Sequence, residues 1–185
     1  MIRQPICVLL AHVDHGKTSI LDSIRNTSVA DKEAGGITQN ITAHSIELNK
    51  IQETCGDLLK NINLTIPGIL FIDSPGHEAF TTLRKRGGNI ADIAILVIDI
   101  NEGAKPQTLE AIEILKNSKT PFVIAANKID RVGGFNSNKK PILQNIKEQQ
   151  EFVLADIETK LYKIVPPIER LPASTEVTSI PTYNL

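Results

Sequence analysis

The chain has 185 residues, 41% of them hydrophobic, which suits one domain with a full apolar core, with or without an appendage. Its net charge of −1 excludes a strong global field for nucleic acid, so any RNA contact must use a local patch. Two cysteines, Cys7 and Cys55, make no disulfide framework, no signal peptide precedes the first apolar run, and no run is long enough to span a bilayer; the expectation is a soluble cytoplasmic protein.

Residues 6–11 are apolar throughout, as in a strand buried on both faces of a parallel sheet. Gly16-Lys17-Thr18 follows at once, and Ile20, Leu21 and Ile24 give the next segment a helical apolar face. A strand, a glycine-bearing turn and a helix in that order form a phosphate-binding loop, whose backbone N–H groups wrap polyphosphate oxygens. The nucleotide-contacting residues are therefore Ala11, His12, Val13, Asp14, His15, Gly16, Lys17, Thr18 and Ser19. Lys17 is expected to reach the terminal phosphates and the Thr18 hydroxyl to coordinate Mg²⁺. Ala11 stands where the pattern has glycine, and its methyl is tolerable only if the local φ stays negative.

Residues 32–39 read KEAGGITQ. Gly35-Gly36 gives a hinge, and the Thr38 hydroxyl could complete the Mg²⁺ shell when a γ-phosphate is bound. Residues 41–48 alternate as an edge strand does. Ile51, Cys55, Leu58 and Ile62 then share one helical face, an insertion that a minimal fold would not need.

Residues 69–73 predict a buried strand ending in Asp73-Ser74-Pro75-Gly76. A carboxylate at Asp73 can hold Mg²⁺ opposite Thr18, and Gly76 lets the backbone come close to a γ-phosphate. His77 would then lie beside that phosphate, where an imidazole can orient the attacking water. A helix over 78–86 follows, ended by Gly87-Gly88.

Residues 93–100 and 122–126 predict two more buried strands, separated by a helix over 107–116. The second of these strands runs into Asn127-Lys128-Ile129-Asp130. A carboxylate at Asp130 can accept the ring N–H and the exocyclic amino group of guanine, a pair of donors that adenine lacks. Asn127 would tie this base loop to the phosphate loop, and the Lys128 stem could cover the base face. Each string alone would be an ordinary turn. In this order, each behind a strand, they predict guanine nucleotide binding.

Ile142, Ile146, Val153, Ile157, Leu161 and Ile164 predict one long amphipathic helix, stopped by Pro166-Pro167. From Pro166 the chain loses periodicity, apart from a short strand candidate at 177–181. The expected fold is α/β of the P-loop NTPase type: a mostly parallel sheet with helices on both faces, truncated at its C-terminus. The expected units are a nucleotide-binding domain over 1–165 and an irregular tail over 166–185, in a chain that is monomeric by default.

Together these residues resemble the translational GTPases. AHVDHGKT is similar to the GHVDHGKT loop of that family, and DSPGH to its DTPGH or DAPGH. KEAGGITQNITA and FIDSPGHEAFTTLRKRG narrow the resemblance to the initiation factor 2/5B group. The insertion with IQETCGDLLKN, and NEGAKPQTLEAIEILKNSKTPFVIAANKIDRVGGF, resemble its archaeal and eukaryotic branch. The resemblance covers roughly residues 3–165.

It implies a GTP hydrolase that drives ribosomal subunit joining and initiator tRNA placement, stimulated by the ribosome. Asp14 matches a loop aspartate that holds a monovalent cation or water near the phosphates. Val13 and Ile37 match an apolar gate before the catalytic histidine, here His77. Thr38 matches the switch threonine at Mg²⁺ and the attacking water. His77, Thr38, Asp14 and Lys17 are thus the expected catalytic set, and Thr18, Thr38 and Asp73 the expected Mg²⁺ ligands. The chain departs from the family at Ala11, in lacking the Ser-Ala motif that closes over guanine, for which Pro181-Thr182-Tyr183-Asn184 offers no substitute, and in lacking the β-barrel and tRNA-contacting domains. The alternative reading is a non-catalytic guanine-nucleotide-binding fragment without those effector domains. An elongation factor is disfavoured by KEAGGITQ and the insertion.

Overall fold

A computed structural model describes residues 2–25, 42–59, 62–73, 91–138 and 140–164. Five strands form one sheet: β1 (Ile6–Ala11), β2 (Thr42–Glu47), β3 (Gly68–Asp73), β4 (Ile93–Asp99) and β5 (Phe122–Asn127). Their order is β2-β3-β1-β4-β5, so β1 sits at the centre. β3, β1, β4 and β5 pair in parallel, while β2 runs antiparallel to β3 on the edge. The continuous apolar runs became the parallel strands, and the alternating segment became a half-exposed edge.

Alternation along β1 builds two cores. Val8 and Leu10 join Leu96, Ile98 and Ile124 on one face. That face is covered by α3 (Pro106–Asn117), α4 (Ile142–Lys147) and α5 (Glu151–Ile164), through residues such as Ile112, Leu115, Ile142, Val153 and Ile157. Cys7 and Leu9 join Phe71 and Ile46 on the other face, under α1 (Lys17–Arg25) and α2 (Leu48–Cys55). Both sheet faces therefore carry helices. Cys7 is buried and free, and burial pushes its thiol pKa up to about 12.

Two expectations need correction. The helix expected to run unbroken from Ile142 to Ile164 is two helices, interrupted at residues 148–150. Gln149 turns its side chain inward there. Its Oε1 accepts the Asn136 N–H at 2.7 Å, and its Nε2 donates to the carbonyls of Asn136 and Asn145, both at 2.9 Å. These bonds satisfy a buried amide and close the last turn of α4, and the apolar spacing on either side does not register them. The inserted helix also stops earlier than its spacing implies. Gly56, at φ +47°, ends α2, and residues 56–59 continue as a 3₁₀ turn. Ile62 lies beyond that turn and is 56% exposed, so it does not share the face of Ile51 and Cys55. Segments 32–39, 74–90 and 166–185, with the helix expected at 78–86 and the strand at 177–181, lie outside the described residues.

Candidate functional site

Parallel strands deliver their carboxyl ends to one edge of the sheet, the usual place for ligands in α/β folds. Here β1 ends at Ala11, β3 at Asp73, β4 at Asp99 and β5 at Asn127. Ala11 pairs with Val97, and Asp99 with Asn127. Three of these four terminal residues are polar, at the end of runs that are otherwise apolar.

The loop after β1 joins that edge to the N-terminus of α1. His15 donates its N–H to the His12 carbonyl at 3.2 Å, and Gly16 accepts from Ile20 at the same distance to open the helix. Asp14 and Gly16 both have positive φ, +64° and +88°. A Cβ on Gly16 would lie 2.2 Å from Asn127 Nδ2, so the backbone can approach β5 only without a side chain there. Ala11 shows no such constraint: its backbone is extended strand, and its methyl packs with Val97 and Ala125. That answers the steric objection to alanine at this position.

Lys17 and Thr18, in the first turn of α1, are buried, while Val13, Asp14 and Ser19 are exposed. Lys17 Nζ forms an ion pair with Asp73 Oδ1 at 2.9 Å, both side chains being nearly enclosed. His12 is half-buried and contacts the Gln107 side chain. His15 is fully buried, with Glu102 Oε2 3.6 Å from its Nε2 and the His12 ring edge-on at 5.2 Å. Burial, reinforced by His12, lowers the His15 pKa, with Glu102 opposing. A hydrogen bond from Lys105, helped by its charge, holds Glu102 below the usual carboxylate range.

The string over residues 127–130 closes onto this loop. Asn127 Nδ2 donates to the His15 carbonyl at 2.9 Å, the tie that sequence reasoning expected. Lys128 has a left-handed backbone, φ +60°, and donates to the Asp14 carbonyl. Asp130 follows on a 3₁₀ turn (Ile129–Arg131) and is exposed. So the fold gathers residues 11–19, Asp73, Asn127 and Lys128 into one cluster, and Asp130 is exposed two residues after Lys128. Thr38, Gly76 and His77 lie outside the described residues.

Asp99 was missed. It is buried, and its Oδ2 lies 3.0 Å from Lys128 Nζ. Burial alone would raise its pKa, but hydrogen bonds from Asn101 and Lys128 outweigh that and hold it low. An acid at the carboxyl end of a strand, placed as Asp73 is, was the available signal, hidden inside an apolar run.

The chain matches the elongation factor Tu GTP binding domain over residues 3–178. It belongs to that family. A probable translation initiation factor IF-2 of Thermococcus sibiricus is 58% identical over 167 residues, covering 89% of this chain and 28% of that protein. The corresponding protein of Methanopyrus kandleri is also 58% identical, with the same coverage. The crystal structure of GDP-bound aIF5B from Aeropyrum pernix superposes with a TM-score of 0.76 at 52% identity, over 92% of this chain and 29% of that one. A bacterial selenocysteine-specific elongation factor, 21% identical with a TM-score of 0.59 over 96% of this chain and 25% of its own, shares the fold alone. The translational GTPase fold expected from the motifs is thus borne out. The chain spans 28% of the length of the first of these curated relatives.

Proposed function

We propose that this chain is the GTP-binding domain of a translation initiation factor and hydrolyses GTP to GDP and phosphate. Residues 1–165 make up that domain, with 166–185 as its tail. One observation carries the reading: the 2.9 Å bond from Asn127 to the His15 carbonyl joins the base-side string to the phosphate-side loop. A nucleotide held across such a pair of loops would have its base at one and its phosphates at the other. The initiation-factor relatives and the GDP-bound neighbour favour guanine and translation.

In this reading the N-terminus of α1 and Lys17 meet the phosphates, with Ala11 to Ser19 as the cradle. Asn127, Lys128 and Asp130 select guanine, and Gly76 lies near the γ-phosphate. The donor chemistry fits Mg²⁺: Thr18 and Asp73 are buried hard oxygen donors beside Lys17. Thr18, Asp73 and Thr38 would hold the ion, and it would supply charge neutralisation on the phosphates. Lys17 must leave Asp73 for the phosphates when nucleotide binds. Asp14 would hold a monovalent cation or water, and His77 and Thr38 would orient the attacking water.

The ribosome is the proposed partner, together with initiator tRNA, in the cytoplasm. No helix among the described residues is long and apolar enough to cross a membrane. Phosphate release from labelled GTP, followed with and without ribosomes, tests the reading. Slow intrinsic turnover, stimulated by ribosomes and lost in His77→Ala, is expected. Fast ribosome-free hydrolysis undiminished in His77→Ala refutes the mechanism. Binding without hydrolysis under either condition replaces it with a non-catalytic guanine-nucleotide-binding role.

A further inference from the structure

The Asp99 carboxylate divides its two oxygens between different tasks. Oδ1 accepts the Asn101 N–H at 2.9 Å, a local bond within the turn after β4. Oδ2 reaches Lys128 Nζ at 3.0 Å, across to the loop after β5. The turn alone would be served by an asparagine, since it needs one acceptor. The second oxygen, and the charge, serve Lys128. Asn101 Nδ2 adds a bond to the Lys128 carbonyl at 3.3 Å, so the side chain and the backbone of Lys128 are both held from the β4 turn.

Lys128 needs that support. Its backbone is left-handed, an unfavourable conformation for a residue with a Cβ, and its ammonium is largely withdrawn from water. The same ammonium donates to the carbonyl of Asp14, which is itself at positive φ in the phosphate-side loop. One charged group therefore clips the two loops together, and Asp99 supplies its counter-charge from a third strand end. The Asp99–Asn127 strand pairing sets the spacing, because it fixes β4 and β5 in register at the residues where both loops leave the sheet.

We infer that Asp99 is a positioning residue for nucleotide binding, acting through Lys128 to lock the base-side loop to the phosphate-side loop. The inference rests on the guanine-nucleotide reading above. Preorganising both loops lowers the ordering cost of binding, so the loss of the Asp99 charge should weaken GDP and GTP alike.

Asp99→Asn keeps an acceptor for Asn101 and removes only the charge facing Lys128. Fluorescent GDP and a fluorescent non-hydrolysable GTP analogue are titrated into the parent, Asp99→Asn, Lys128→Met and the double variant, with thermal unfolding to check folding. Asp99→Asn should weaken both nucleotides about tenfold, the scale of a coupled pair. In the Lys128→Met background the same substitution should add less than about twofold, since its effect passes through Lys128. An unchanged affinity in Asp99→Asn overturns the inference, as does a full tenfold loss that persists without Lys128. Should Asp99→Asn not fold, Asp99→Ser is the second variant, keeping a short acceptor and removing the charge: about tenfold weaker binding that the Lys128→Met background absorbs supports the inference, and parental affinity overturns it. A parent that binds no GDP refutes the nucleotide reading itself, and the inference with it. A parent that binds GDP, with variants that match it, refutes the role of Asp99 alone.

Discussion

Gly16→Ala isolates the close approach on which the two loops depend. The added Cβ would lie 2.2 Å from Asn127 Nδ2 and 3.5 Å from Asn127 Cγ, so the Asn127 side chain must move away from the His15 carbonyl. A φ of +88° adds backbone strain for any residue with a Cβ, about 1–2 kcal/mol. Losing the Asn127 bond adds roughly 0.5–1.5 kcal/mol. The substitution should therefore cost about 1.5–3.5 kcal/mol, or a fall in Tm of roughly 3–14 °C for a domain of this size. Urea unfolding measures it, as a lower midpoint at unchanged slope. In an Asn127→Ala background the colliding amide is already gone, so the same change should cost only the strain, about 1–2 kcal/mol. A Gly16→Ala protein within about 0.5 kcal/mol of the parent would refute the reasoning.

Burial lowers the His15 pKa below its ordinary 6.5. Between 6.5 and that lower folded value the unfolded chain binds more protons, so stability should fall as the pH drops through this window. His15→Gln should abolish that slope in urea unfolding measured across the window, and an identical slope in the variant would count against it. At the opposite edge of the sheet, hydrogen bonding from Arg3, bidentate at 2.6 Å, holds Asp92 at a pKa of about 2. Its stabilisation is present above the ordinary 3.8 and lost as pH falls through about 2. Asp92→Asn should be modestly less stable at neutral pH, as expected of an exposed pair, and that difference should close in acid-unfolding curves between about pH 4 and 2.

The parallel strands were legible because each is an apolar run cut off by a polar string, and the strings were legible because they sit where those runs end. Once β1, β3, β4 and β5 are parallel, their carboxyl ends, and the strings that follow them, must meet on one edge. Contacts between residues far apart in the chain carried no local mark. The Gln149 bonds to Asn136, thirteen residues back, join residue types common on any surface, and they draw Gln149 inward where the last helix breaks. Asp99 passed as the polar end of a core strand, because only the fold brings Lys128 to it. The Lys17–Asp73 ion pair joins two residues each expected to face a ligand. Ala11 looked like a departure from the pattern, yet its extended backbone asks nothing of a glycine.

Base choice tests the central claim most directly. Parent and Asp130→Asn are titrated with GDP and with xanthosine diphosphate, whose keto oxygen replaces the exocyclic amino group of guanine. The parent should prefer GDP and the variant xanthosine diphosphate, each by a factor on the order of 100, because an amide donor then faces the keto oxygen. An Asp130→Asn protein that binds GDP as tightly as the parent would contradict the account.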